Sequence, residues 1–249
     1  MLDNNSFILS SIKDILQESA NLSLINCKGI EAYPLQEYIL QSTLLKMTGY
    51  SEQKLKCICW DIASIDYEFR YQVYQHWSFG ECSSIDDKNN IFCLLIKKIQ
   101  EYESTFTGNN IKTFLDANVI AKNEFLFVKK CIKSSCIKYF AERDFRLFSN
   151  DGDFFKQSKS VYISEKKILS DETKNDRDFS FVYTKLYKQR NRCAHNLTSY
   201  QQNLPKTSYL LKKSDRENFF HYFTILVILD EVFMVLYKKL SGLIQDGNW

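Results

Sequence analysis

Helix breakers are scarce in this chain: two prolines and seven glycines in 249 residues. With Leu, Ile, Phe, Lys and Glu abundant, that scarcity favours helices. Also missing is any cysteine framework. The eight cysteines include Cys57 and Cys59 with one residue between them and Cys131 and Cys136 with four. Neither a paired zinc knuckle nor a thioredoxin-like motif is present, and the cysteines are expected to be reduced, small buried hydrophobes. No basic region followed by an apolar stretch marks the N-terminus, so no secretory signal is expected. The longest apolar run, Phe223 to Tyr237, is interrupted by Asp230 and Glu231 and falls short of the ~20 residues that span a bilayer. A cytoplasmic protein with no membrane partner is expected. No clustered Asp or Glu pattern calls for a catalytic metal, and no cofactor is expected. The net charge of +3 names no partner by itself.

Acid is also missing locally. From Phe181 to Lys213 there is no Asp or Glu, while Lys185, Lys188, Arg190, Arg192, Lys206, Lys212 and Lys213 are basic. A polyanion is drawn to such a stretch.

Apolar periodicity predicts an all-α helical bundle of about six to seven main helices, with a polar loop or small hairpin inserted near residues 149–178. Asn5-Ser6 precedes Ile8, Ile12, Ile15 and Leu16, a first helix to about Ser19. Pro34 opens a second, stopped near Gly49, and Ser51-Glu52 opens a third that runs to Gly80. Tyr67, Tyr71, Tyr74 and Trp77 flank that third helix and are expected in the core or an interface. A fourth helix starts at Asp86 or Asp87. A short one follows Asn110, and a fifth runs from Asn123 through Phe140 with a lysine-rich outer side. Asn150-Asp151-Gly152-Asp153 is turn chemistry, and Val161-Tyr162-Ile163 is the only strand-like stretch. A further helix starts near Asp176. The last opens on Ser214-Asp215-Arg216-Glu217, the pattern of a capping box. It carries two apolar faces, Phe219/Phe223/Leu226/Phe233/Tyr237/Leu240 and Phe220/Val227/Met234/Leu243, one for the subunit interior and one available to a second copy. Residues 1–249 form a single helical domain, divisible at most into 1–120 and 121–249.

The chemistry concentrates in Arg190-Asn191-Arg192-Cys193-Ala194-His195-Asn196, where an amphipathic helix is expected to end in a polar loop. Arginine offers a fixed fork of donors to a phosphodiester, and histidine can take and give a proton near neutrality. Spacing alone is cheap, because Arg70 stands six residues before His76 and Arg216 five before His221. Both of those pairs sit in periodic helical segments and read as ordinary helix residues. Arg190 and His195 differ in context: Asn191 follows the arginine, Ala194 precedes the histidine, and a helix end is expected.

This hexapeptide resembles the arginine–asparagine–three residues–histidine motif of the HEPN superfamily of helical nucleases and nucleic-acid-binding domains. The resemblance implies a metal-independent endoribonuclease, usually a homodimer with the two motif copies facing each other, often a toxin or anti-phage effector with an antitoxin or other regulatory protein. One subgroup carries a modifiable tyrosine two residues after the histidine; here that position is Leu197. On this reading Arg190, Asn191 and His195 are catalytic, while Lys188, Arg192 and Asn196 bind RNA. His195, or its copy, moves protons at the 2′-hydroxyl and the 5′-leaving oxygen, Arg190 neutralises the phosphorane, and the products carry 2′,3′-cyclic phosphate and 5′-hydroxyl ends. The alternatives are an HEPN-fold module that binds RNA without cutting it, and an interaction subunit that assembles through its last helix.

Overall fold

The computed structural model describes residues 4–25, 29–76, 82–156, 168, 179–195 and 214–246. Among the described residues the protein is all-α, with no strand. The helices are α1 (Asn5–Ile8), α2 (Lys13–Ser23), α3 (Tyr33–Ile65), α4 (Tyr67–His76), α5 (Ile85–Tyr102), α6 (Gly108–Leu115), α7 (Ala117–Lys133), α8 (Ile137–Phe140), α9 (Glu142–Asn150), α10 (Gly152–Lys156), α11 (Phe179–His195) and α12 (Phe219–Asp246). A 3-10 turn, Ile30–Ala32, leads into α3.

The final helix is the axis of the bundle. Its sequence is apolar on every side, so it must be surrounded, and α3, α5, α7, α9 and α11 all pack against it. Phe223, Leu226 and Tyr237 of one face are buried, and so are Phe220 and Val227 of the other. The second apolar face is therefore divided: Phe220 and Val227 are taken up by the subunit interior, while Met234 and Leu243 are half-buried. At 28 residues α12 is also long and apolar enough to cross a membrane, contrary to the estimate from its interrupted apolar run. Its apolar window is 78% buried inside the bundle.

Several polar groups enter this core in pairs. Lys54 and Asp230 are 4% and 3% exposed and pair at 2.7 Å, and the other oxygen of Asp230 accepts the Ile12 N–H at 3.0 Å. Lys13 bridges Glu124 and Glu231 at 2.8 and 3.3 Å. The Tyr237 hydroxyl donates to Asp61 at 2.5 Å, and Asn4 donates to the other oxygen of Asp61 at 2.7 Å. The Ile12 bond marks the place where the expected first helix divides into α1 and α2.

Other boundaries depart from the sequence pattern for local reasons. Gly49 does not end a helix: α3 runs 33 residues through it. The ~1 kcal/mol cost of one internal glycine is outweighed by burial of Leu40, Leu44, Met47, Leu55, Ile58 and Ile62 along the same helix. The break comes instead at Asp66, extended at φ −116° and ψ 105°. Its carboxylate then accepts the Phe69 N–H at 2.9 Å to start α4. On α4, Tyr67 and Tyr71 are exposed and not core; Trp77 lies outside the described residues. Ser84 and Asp87 form a reciprocal capping box on α5, and Asp116 caps α7 six residues or more ahead of the expected start.

The polar region 149–178 is not wholly a surface excursion. Phe154 and Phe155 on α10 are buried, their rings against Phe179 at 5.0 and 5.7 Å and Phe155 stacked on Phe125 at 5.1 Å. Ile168 is buried too, its N–H bonded to Asn89 at 2.9 Å. The strand-like Val161-Tyr162-Ile163 lies outside the described residues. At the last helix, Ser214 is not the cap. Asn218 Oδ1 accepts the N–H groups of Phe220 and His221 at 3.1 and 3.2 Å, while Glu217 turns to Lys185 at 2.9 Å. Six described cysteines are free thiols, but Cys136 is disulfide-bonded, with its partner outside the described residues. The expectation that all cysteines are reduced is thereby corrected.

Candidate functional site

The motif helix α11 forms because Phe179, Val182, Tyr183, Leu186 and Cys193 recur at helical steps and bury one face. Arg190 stands four residues after Leu186 and three before Cys193, on the continuation of that stripe. Its guanidinium is consequently presented to α3. Nη2 donates to Glu52 Oε2 at 3.1 Å, Nη1 donates to Asn191 Oδ1 at 3.1 Å, and the guanidinium carbon lies 5.4 Å from the Tyr187 ring centroid. The side chains of Arg190 and Glu52 are 26% and 12% exposed. This is a partly desolvated pair, positioned and oriented by three contacts.

Around it runs a polar seam shared by α3, α5 and α11. Lys88 is buried, donates from Nζ to the Cys82 carbonyl at 2.9 Å and sits 5.1 Å from the Tyr183 ring. Burial pulls its pKa down to about 8, against the opposing pull of Glu52, Cys82 and Asp87. The Tyr183 hydroxyl donates to the Ser83 carbonyl at 2.7 Å. Burial raises that phenol well above its usual value, with the Glu52 charge adding to the push.

The last described residue of α11 is the motif's own histidine. α11 is helical through His195, so position 195 is turned by about 140° from position 190 at ~100° per residue. Positions 191 and 195, four apart, share a face. Lys188 is exposed and Arg192 half-buried, the latter close enough to Cys193 and Tyr222 to act on both electrostatically. Lys185 is engaged by Glu217 and lies 4.8 Å from the Phe181 ring. Of the described structure of the site, His195 contributes its backbone alone; Asn196, Lys206, Lys212 and Lys213 lie outside the described residues. Among the described residues no three His, Cys, Asp or Glu side chains gather as metal ligands.

Glu52 is the residue that sequence reading passed over. It registers there only as a helix-start acid, and nothing local to it signals a partner 138 positions away.

A second titratable cluster comes from residues read as ordinary. Arg216 precedes α12 in a turn and grips Asp151 with Nε at 2.5 Å and Nη2 at 2.9 Å. His221, on the first turn of α12, places Nε2 3.2 Å from Asp151 and Nδ1 3.0 Å from Asn218 Oδ1. The cluster borders a cleft of about 400 Å³ lined also by Leu147, Asn150, Ser214 and Asp215. Burial pulls the His221 pKa below its ordinary value despite the raising effect of Asp151. Both ring nitrogens face side chains within the protein, Nε2 toward Asp151 and Nδ1 toward Asn218, so this histidine fastens the α9–α10 junction to α12.

No family model matches the chain, and no curated protein or solved structure matches it either.

Proposed function

We propose that the protein is a metal-independent endoribonuclease of HEPN type, acting as a toxin or anti-phage effector in the cytoplasm under the control of a regulatory protein. The observation that carries the reading is Arg190. It stands at the head of an Arg-Asn-x-x-x-His hexapeptide on a rigid helix in an all-α protein, with its guanidinium oriented by Glu52, Asn191 and Tyr187. A phosphodiester bound there meets a preorganised cation in a partly water-excluded seam, where charge stabilisation is strongest. Lys188, Arg192 and Asn196 then track the RNA backbone.

Because position 195 is rotated away from position 190 on one helix, the reaction uses two copies of the chain. His195 of each subunit moves the proton from the 2′-hydroxyl or to the 5′-leaving oxygen at a phosphate held by Arg190 of the other. Attack of the 2′-oxygen on phosphorus breaks the P–O5′ bond and leaves 2′,3′-cyclic phosphate and 5′-hydroxyl ends. One observation favours a second reading, a non-catalytic RNA-binding or protein-interaction subunit of the same fold: the charge of Arg190 is already matched by Glu52.

The test is incubation of the full chain and its His195→Ala variant with total RNA in excess chelator. The nuclease reading expects fragments with cyclic phosphate ends from the parent chain and a loss of at least 100-fold in the variant, as for a proton-transfer residue. Intact RNA from both, with salt-sensitive RNA retention, overturns the nuclease reading and leaves the binding module. Intact RNA with no retention leaves the interaction subunit.

A further inference from the structure

The outer side of α7 carries a charge pattern that the ribonuclease reading does not use. At ~100° per residue, Val119, Lys122, Leu126, Lys130 and Lys133 fall within an arc of roughly 100° along roughly 21 Å of helix. All of them are exposed, Val119 and Leu126 at 50%. The one acid of α7, Glu124, stands on the far side, where it is buried and bound to Lys13 at 2.8 Å. At the C-terminal end of the stripe Lys138 donates to the Lys133 carbonyl at 2.8 Å. Its ammonium lies 4.6 Å from the ring centroid of Tyr139, which is 66% exposed.

A solvated helix face ordinarily mixes acids among its lysines. Other lysines of the protein follow that rule: Lys46 meets Glu18 at 3.3 Å, and Lys239 meets Glu103 at 2.6 Å. Among the described residues Lys122, Lys130 and Lys133 have no acid within ion-pair distance. The helix dipole favours Lys130 and Lys133 in the last turn. It does not account for Lys122, nor for a valine and a leucine left half in water between the lysines. Cations and aliphatic side chains on one line complement a surface that is anionic outside and apolar just beneath. A nucleic acid offers the phosphates but little apolar surface, and the stripe has no aromatic ring on which bases stack. Nor does it adjoin the motif: α7 packs on α2, α8, α10 and α12, whereas α11 packs on α3, α5 and α12.

We propose that the outer side of α7 docks the protein onto an anionic lipid membrane. Lys122, Lys130 and Lys133 meet headgroup phosphates, Val119 and Leu126 enter the boundary below them, and Tyr139 lies at headgroup level at one end. In this arrangement α7 lies in the plane of the membrane and does not cross it. The expectation of no membrane partner rested on the length of the longest apolar run, which does not bear on a face that touches a surface. The docking face stands independently of the ribonuclease reading.

The experiment measures co-sedimentation of the full chain with vesicles of phosphatidylcholine alone and of phosphatidylcholine mixed with phosphatidylglycerol, at low and at high salt. Binding is expected only to the anionic vesicles, and it weakens as salt rises. Lys122→Gln/Lys130→Gln/Lys133→Gln is expected to bind about 100-fold more weakly, from about fivefold for each lysine. Leu126→Ser, at unchanged charge, is expected to bind about fivefold more weakly. The substituted positions are exposed, so both variants keep the parent Tm, checked by thermal denaturation. Equal binding to neutral vesicles, no binding to either kind, or a triple variant or Leu126→Ser that binds as the parent does overturns the proposal. So does a triple variant that loses RNA affinity while the parent ignores vesicles, a result that assigns the stripe to a nucleic acid.

Discussion

Replacing Lys54 by Met asks the core a direct question. Lys54 and Asp230 face each other at 2.7 Å between α3 and α12, both almost completely buried. Burial pulls the ammonium pKa down and pushes the carboxyl pKa up, so each ion is held in place by the other. Lys54→Met keeps the stem and removes the charge. Asp230 then retains the Ile12 N–H on one oxygen, and the adjoining cavity of about 10 Å³ has room for at most a single water. Breaking one side of such a pair costs ~3–5 kcal/mol, a fall in Tm of roughly 6–20 °C for a chain of this size. Lys54→Met/Asp230→Asn keeps an acceptor for Ile12 and removes the stranded charge, and is expected within ~1.5 kcal/mol of the parent. The sign of the pH effect follows from the raised carboxyl. A folded Asp230 that binds its proton more tightly than an unfolded one loses stability as pH rises, so the deficit of Lys54→Met is larger at pH 8 than at pH 5. Guanidinium titrations of parent, both single variants and the double variant complete the cycle. A Lys54→Met cost under 1 kcal/mol, or a double variant as unstable as the sum of the singles, refutes the account of a mutually dependent pair.

Two further expectations test the seam and the second cluster. Folded Lys88 has a pKa of about 8 against 10.5 for the free group, so it sheds its proton before the unfolded chain does. Stability therefore rises between those pH values by at most about 3 kcal/mol; denaturation midpoints across that window in the parent and in Lys88→Met check it, the variant losing the rise. At Asp151, burial pushes the carboxyl up, but hydrogen bonds from His221 and Arg216 win and hold it below the usual carboxylate range. Its contribution is present above the unfolded value and lost as pH falls through the folded one. Asp151→Asn is expected to cost about 2–3 kcal/mol at neutral pH and to flatten the acid limb of the stability profile, measured by chemical denaturation.

Helix content was legible because apolar positions at three- and four-residue steps dominate the chain. What local pattern could not supply was the competition between a breaker and a buried face. Gly49 has the propensity to stop a helix, yet its neighbours on α3 bury too much apolar surface for the stop to hold, and Asp66 stops it by capping α4. The paired Phe154 and Phe155 were invisible for a different reason. Two apolar residues in a polar stretch are too short a signal for a window of helical length, and only the ring cluster of Phe125, Phe148 and Phe179 explains them. Ser214 matched a capping box by type and spacing, but Lys185 provides Glu217 with a stronger partner than a reciprocal cap. At the site, Arg190 could be singled out because its chemistry is local to the hexapeptide. Glu52 could not, since an ion pair across two helices leaves no trace in either helix's own periodicity.

The same geometry limits how a two-copy ribonuclease could be assembled. α12 gives most of its apolar surface to the subunit interior, with Met234 and Leu243 of the second face only half-buried. The motif itself lies on α11, whose inner stripe is given to the core and whose outer side carries exposed Thr184 and Lys188. A two-fold axis beside that outer side would bring position 195 of the two copies together, while Arg190, on the inner stripe, stays turned to Glu52 of its own subunit. It would also set Lys188 and Arg192 of both copies close together. Like charges gathered across a symmetry axis repel, and the repulsion is relieved by a polyanion that runs between them. On this reading RNA is both substrate and counter-charge. The acid-free stretch around α11 then has a purpose beyond attraction: it lets the ligand complete a site that neither subunit holds alone.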